Sequence, residues 1–168
     1  MAKMAREHAR AISNIDAVSI GDHLYNFCVT SLAMRDHLLE HLGKLKDDER
    51  NEAIKSWEVP VEVIAAHEIG NSSKHLVLRD RPTKIPRRTV AQTVATAPTQ
   101  REYVSANRDG STKRTFVDSV QFSIVIGADE YDIWGFMSAV RDFWEARLEA
   151  EAIPFERLPH REYLPPTT

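Results

Sequence analysis

Glu68, Asn71 and His75 stand at i, i+3 and i+7, so a helix through this stretch stacks their side chains along one side. His75 can carry a proton near neutral pH. Asn71, one turn away, can orient it or a phosphate oxygen, and Lys74 and Arg79 lie close enough in sequence to neutralise an anion. Acid–base cleavage of RNA asks for that set, a base working near pH 7 and a cation for the developing charge. The same residues have a structural use. A kink at Gly70 frees backbone carbonyls that an Asn or His can satisfy, and a helix C-terminus favours Lys74 and His75 through its dipole. Both readings stay open.

Downstream, Lys74, Arg79, Arg81, Lys84, Arg87 and Arg88 face a single acid, Asp80. Clustered cations release counterions when they meet a polyanion, so Arg79, Arg81, Lys84, Arg87 and Arg88 are the candidate nucleic-acid contacts, against the plainer role of a solvated loop. His37 and His41 are four apart on a helical pattern, a spacing that can chelate a metal with a third ligand from His23, His67 or Glu68. The charged surroundings of the pair, Arg35 to His41, equally describe a helix surface, and we assign no metal site. Cys28, the one cysteine, excludes an intramolecular disulfide and beside Phe27 suits core packing. Ser72 and Ser73 lack a glycine elbow, and the six glycines are scattered singly, so no phosphate-cradling loop and no cofactor are expected. Trp57, Trp134 and Trp144 read as core or interface anchors.

The elements that must position these residues begin at Ser19. Ile20, Leu24, Phe27, Ser31, Met34, Leu38 and Leu42 recur at three- and four-residue steps, one stripe of a helix over 19–45, about 38 Å long. Ser19 with Asp22 forms a weak capping box, and Gly43 marks the end. A short helix is expected over 48–57 with Ala53, Ile54 and Trp57 inward, and Pro60 suits the first turn of a helix over 60–75. On that helix Ala66, Gly70 and Ser73 make a face of small residues that admits a close neighbour. After Pro86 the apolar period shortens to two: Phe116, Val120, Phe122, Ile124 and Ile126 alternate with Ser119, Gln121 and Ser123, with Asp118 as an anomaly. Asp109-Gly110 signals a hairpin turn, its partner strand near Glu102 to Ala106, and Thr89 to Thr96 supplies a possible third strand. Gly127 to Asp129 closes the sheet, with Asp129 as cap of a last helix over 130–151 whose stripe runs Ile133, Phe136, Met137, Val140, Phe143, Trp144 and Leu148.

A long first helix, a helix ending in Asn71-x-x-Lys74-His75 and a long last helix resemble the HEPN-type helical bundles and allied bacterial proteins. Many nuclease members carry Arg-Asn-x-x-x-His, in which arginine and histidine act on RNA and the domain works as a dimer. Asn71 and His75 match that motif, while the arginine position is Gly70, so catalysis here would need Lys74 or Arg79 in its place. The resemblance covers the helical two-thirds and leaves the strand region from Thr89 to Ile126 without a counterpart. What it implies is a homodimer and an RNA ligand.

At 168 residues and net charge −3, with 42% apolar and 28% charged residues, the chain has the make-up of one globular domain over 1–158, a β insertion at about 87–127 and a proline-bearing tail over 159–168. The start of the chain lacks the apolar stretch of a signal peptide, and no run approaches a membrane span, so a cytoplasmic location is expected. The expected fold class is α+β, mainly a helical bundle with a small antiparallel β-meander. The expected function is a non-catalytic interaction or accessory protein that self-associates as a homodimer through an apolar helix face, or binds another protein. The alternative is a ribonuclease or RNA-binding module using Asn71, Lys74 and His75.

Overall fold

The computed structural model describes residues 1–44, 46–72, 91–106, 109–126 and 128–156. The chain begins with a helix, α1 (Ala2–Ser13), absent from the expectations above, because its buried face mixes polar and apolar residues: Met4, Glu7, His8 and Ala11. The long helix follows as α2 (Ala17–His41). Its cap is Asp16 and not Ser19: the Ser19 amide donates to Asp16 Oδ1 at 2.8 Å, so the serine lies inside the first turn. Ile20, Leu24, Phe27, Ser31 and Leu38 are buried as the spacing requires, with Met34 and Leu42 packed at the margin. Gly43, at φ +67, ends the helix in a Schellman turn, in which the Lys44 amide donates to Leu39 O and the Gly43 amide to Glu40 O.

The two short helices are α3 (Asp47–Trp57) and α4 (Val61–Ser72). Trp57 is buried, while Ala53 and Ile54 pack half-buried against the core. Val63, Ala66, His67 and Gly70 lie on the buried face of α4; of the expected small-residue face Ala66 and Gly70 are in place, and Ser73 lies outside the described residues. A Cβ on Gly70 would stand 2.8 Å from the carbonyl oxygen of Cys28, so α4 lies with its backbone against that of α2.

The strands are β1 (Ala91–Ala106), β2 (Thr112–Ile126) and β3 (Asp129–Asp132), in the order β1-β2-β3 with both pairings antiparallel. The described residues form three strands, within the expected two or three, but their composition differs from expectation. Residues 91–96 and 102–106 belong to one long strand, and the sheet extends past Gly127 into β3, which pairs Ser123 with Asp132 and Ile126 with Asp129. The cap of the last helix, α5 (Ile133–Ala150), is therefore Asp132 in place of Asp129, its Oδ1 accepting from the Gly135 amide at 2.9 Å. Pro98 opposite Val120 suits β1 to an edge, where a missing N–H removes no ladder bond.

Burial changes along β2. Residues 112–116 are exposed, whereas Ser119, Phe122, Ser123, Ile124 and Ile126 are buried. The base of the hairpin thus closes the helical core with Phe136, Met137, Val140 and Trp144 of α5, and its far half projects beyond the helices. The molecule is an α+β bundle with a small antiparallel meander, and among the described residues no helix is long and apolar enough to cross a membrane.

Candidate functional site

Of the residues singled out for chemistry, Lys74, His75, Arg79, Arg81, Lys84, Arg87 and Arg88 lie outside the described residues. Asn71 is exposed in the last turn of α4, and Glu68 is half-buried one turn earlier. Gly70, the motif's arginine position, faces the α2 backbone: Cys28 O, Cys28 C and Val29 N all lie within 3.2 Å of where a Cβ would sit. No rotamer relieves a clash with main-chain atoms, so a large side chain at 70 requires α4 to move away from α2.

His37 and His41 sit on an exposed surface, His37 3.9 Å from Glu40, and no group of three metal-ligating side chains is gathered among the described residues. Cys28 is fully buried, and burial pushes its thiol pKa up, away from nucleophilic use. Trp57 and Trp144 are core residues, but Trp134 is 53% exposed.

The structure gathers a polar network that the chain order conceals. His67, on the buried face of α4, places Nδ1 2.9 Å from Glu58 Oε1 at the end of α3, and Arg35 of α2 donates to the same oxygen at 3.3 Å. Arg35 also donates to Asp36 at 3.1 Å. Burial of Glu58 acts to raise its pKa; the His67 hydrogen bond and charge, followed by Arg35, outweigh this and hold the carboxyl below its ordinary value. The His67 ring lies 6.1 Å from that of Trp144, whose indole donates to Ser31 Oγ of α2 at 2.8 Å. One polar seam therefore ties α2, α3, α4 and α5. His67 is 3% exposed and its Nε2 has no hydrogen-bond partner among the described residues, so substrate has no approach to it. The only advance signal was His67 sharing the period of Val63, Ala66 and Gly70. Arg35 and Glu58 are distant in sequence and gave none.

The other arrangement is on the surface. From Thr99 to Ala106 on β1 and Thr112 to Asp118 on β2, the hairpin is a two-stranded ribbon with no further strand on either edge among the described residues. The register sets Glu102 opposite Phe116 and Val104 opposite Arg114, so these four share one face. Phe116 is 61% and Val104 55% exposed, and Arg114 and Glu102 form an ion pair at 3.0 Å between them. Asp118, the anomaly in the alternating pattern, belongs to this exposed half and accepts from Gln100 at 2.9 Å.

Where the ribbon leaves the body there is a cleft of about 460 Å³, whose apolar lining is Ile12, Tyr103, Val120, Phe122, Ile133 and Trp134. Arg101 crosses it to donate to the Ile12 carbonyl, supplying a cation and a donor to the open C-terminal end of α1. Ser13, Thr99, Arg101, Glu102, Gln121 and Asp132 complete the lining, so the cleft mixes apolar with polar and charged side chains. No protein-family model matches the chain, and neither does any curated protein or solved structure.

Proposed function

We propose that the chain is a non-catalytic, self-associating interaction protein whose β1–β2 ribbon is the part that meets its partner. The observation that carries this reading is the exposed far half of the hairpin, which presents Phe116 and Val104 on one face and leaves both edges unpaired among the described residues. An isolated two-stranded ribbon is marginally stable in water, and open edges carrying apolar side chains are templates for association. The backbone contact at Gly70 supports the non-catalytic half of the reading, since it leaves no room for the arginine that the resembled nucleases use. Light scattering coupled to size separation tests the proposal: a dimer is expected at micromolar concentration, and a monomer persisting at high micromolar concentration overturns it.

A second reading, an RNA-binding module, is favoured by the six cations against one acid between Lys74 and Arg88. It expects salt-sensitive binding of labelled RNA that weakens when Arg87 and Arg88 are replaced, and loss of any cleavage in His75→Ala. RNA that neither binds at low salt nor is cut removes this reading.

A further inference from the structure

The cleft beside the ribbon holds one cation that the fold leaves without a counter-ion among the described residues. Thr99, Arg101 and Tyr103 are alternate residues of β1 and so project from one side of the strand. Arg101 is half-buried, and its guanidinium donates through Nη1 to the Ile12 carbonyl. That leaves the Nε–Nη2 edge, the fork that takes both oxygens of a carboxylate, with no partner among the described residues. The two acids of the lining do not answer it. Glu102 follows Arg101 in the strand and so projects from the opposite side, where Arg114 holds its carboxylate at 3.0 Å. Asp132 caps α5, its Oδ1 accepting from the Gly135 amide at 2.9 Å, so its charge is set against the positive end of that helix.

Flat side chains share the lining with this cation. Trp134, in the first turn of α5, is exposed, and Tyr103 is half-buried. The volume of about 460 Å³ falls within the roughly 300–1,000 Å³ of small-molecule sites, which combine aromatic walls with a few polar groups that fix orientation. A lining part apolar and part charged suits a ligand divided in the same way.

We propose that the cleft binds a small aromatic carboxylate, its ring against Trp134 and Tyr103 and its acid group on the Nε–Nη2 edge of Arg101. The sign of the ligand's charge follows from the groups already engaged: a cationic ligand needs a free acid, and both acids of the lining are committed. A neutral ring covering Arg101 would strip water from a cation and return nothing for it. A bidentate carboxylate replaces that water with two charged hydrogen bonds. The site makes no use of Phe116, so it is independent of the self-association proposed above.

Magnetic resonance on nitrogen-labelled protein, titrated with naphthoate, tests this. Trp57, Trp134 and Trp144 each give an indole N–H signal, and Trp134→Phe identifies its own by the loss. Naphthoate at about millimolar concentration is expected to shift the Trp134 signal saturably, leaving those of buried Trp57 and Trp144 in place. Its neutral isostere naphthamide is expected to bind about 10-fold more weakly or worse, having lost the ion pair. Arg101→Gln removes that preference, whereas Glu102→Gln, on the opposite side of the strand, keeps it. Because Arg101 also holds the end of α1, Tyr103→Leu is measured beside it, with about a 10-fold loss of naphthoate affinity expected. A wild-type protein whose Trp134 signal does not saturate with naphthoate overturns the proposal, as does equal affinity for naphthamide. A preference that survives in folded Arg101→Gln, or full affinity in Tyr103→Leu, does the same.

Discussion

Glu58 accepts from His67 and Arg35 through one carboxylate oxygen, and its depressed pKa makes it a source of pH-dependent stability. A carboxyl whose folded pKa lies below its unfolded value binds fewer protons in the folded state, so stability rises with pH across that interval. The contribution is complete above the ordinary glutamate value of about 4.3 and is lost as the pH falls through the lower folded value. Glu58→Gln keeps the shape and removes the charge. It is expected to cost about 1–2 kcal/mol at pH 7, the scale of a partly buried charged hydrogen bond, and much less at pH 3. Urea unfolding of both proteins at the two pH values checks this. A difference that does not shrink in acid would mean that the carboxylate is not the group stabilising the seam. Asp16 and Asp109 are also held below their usual range, Asp16 chiefly by the Ser19 amide and Asp109 by the Ser111 hydroxyl, and both titrate alike in the two proteins, so they cancel.

At the scale of elements, the contact between α2 and α4 depends on Gly70. Alanine is the better helix former by about 1 kcal/mol, yet its methyl would sit 2.8 Å from Cys28 O, and a main-chain oxygen cannot swing aside. The clash wins. Gly70→Ala is expected to destabilise the protein by about 1–3 kcal/mol, read as a lowered melting temperature, and a raised one would show that α4 slides freely on α2. The small-residue spacing made this contact visible in the sequence, as the unbroken stripe from Ile20 to Leu38 made α2 visible. Other elements were hidden for physical reasons. α1 buries Glu7, which pairs with His23 of α2 at 2.8 Å, so its inward face does not read as apolar. β3 is four residues, Asp129–Asp132, mostly exposed, and no periodicity survives in so short a piece. Ser19 and Asp16 are both capping types three residues apart, and a local pattern cannot choose between them. The polar seam was illegible because Arg35, Glu58 and His67 meet only after three helices have packed, and the chain order holds no trace of that.

At the scale of the whole molecule, the two halves of one hairpin live in different environments. Ser123 to Ile126 are held by β3 and, with Phe122, by the helical core, whereas among the described residues Thr112 to Phe116 have β1 alone as a strand neighbour. Amides in the first group open only with the fold as a whole, while those of a lone ribbon open locally at little cost. Hydrogen exchange should therefore divide β2 near Ser119, slow on the core side and fast on the far side in dilute protein. Raising the concentration should slow exchange in Thr112 to Phe116 and in Gln100 to Ala106, and leave Phe122 to Ile126 unchanged, because association adds cover only where cover is missing. Mass spectrometry of peptides from the two halves, across a concentration series, resolves the difference. Slow exchange in the far half at every concentration would mean that the ribbon is stable by itself. The exposed Phe116 would then lose its standing as the reason for two copies to meet.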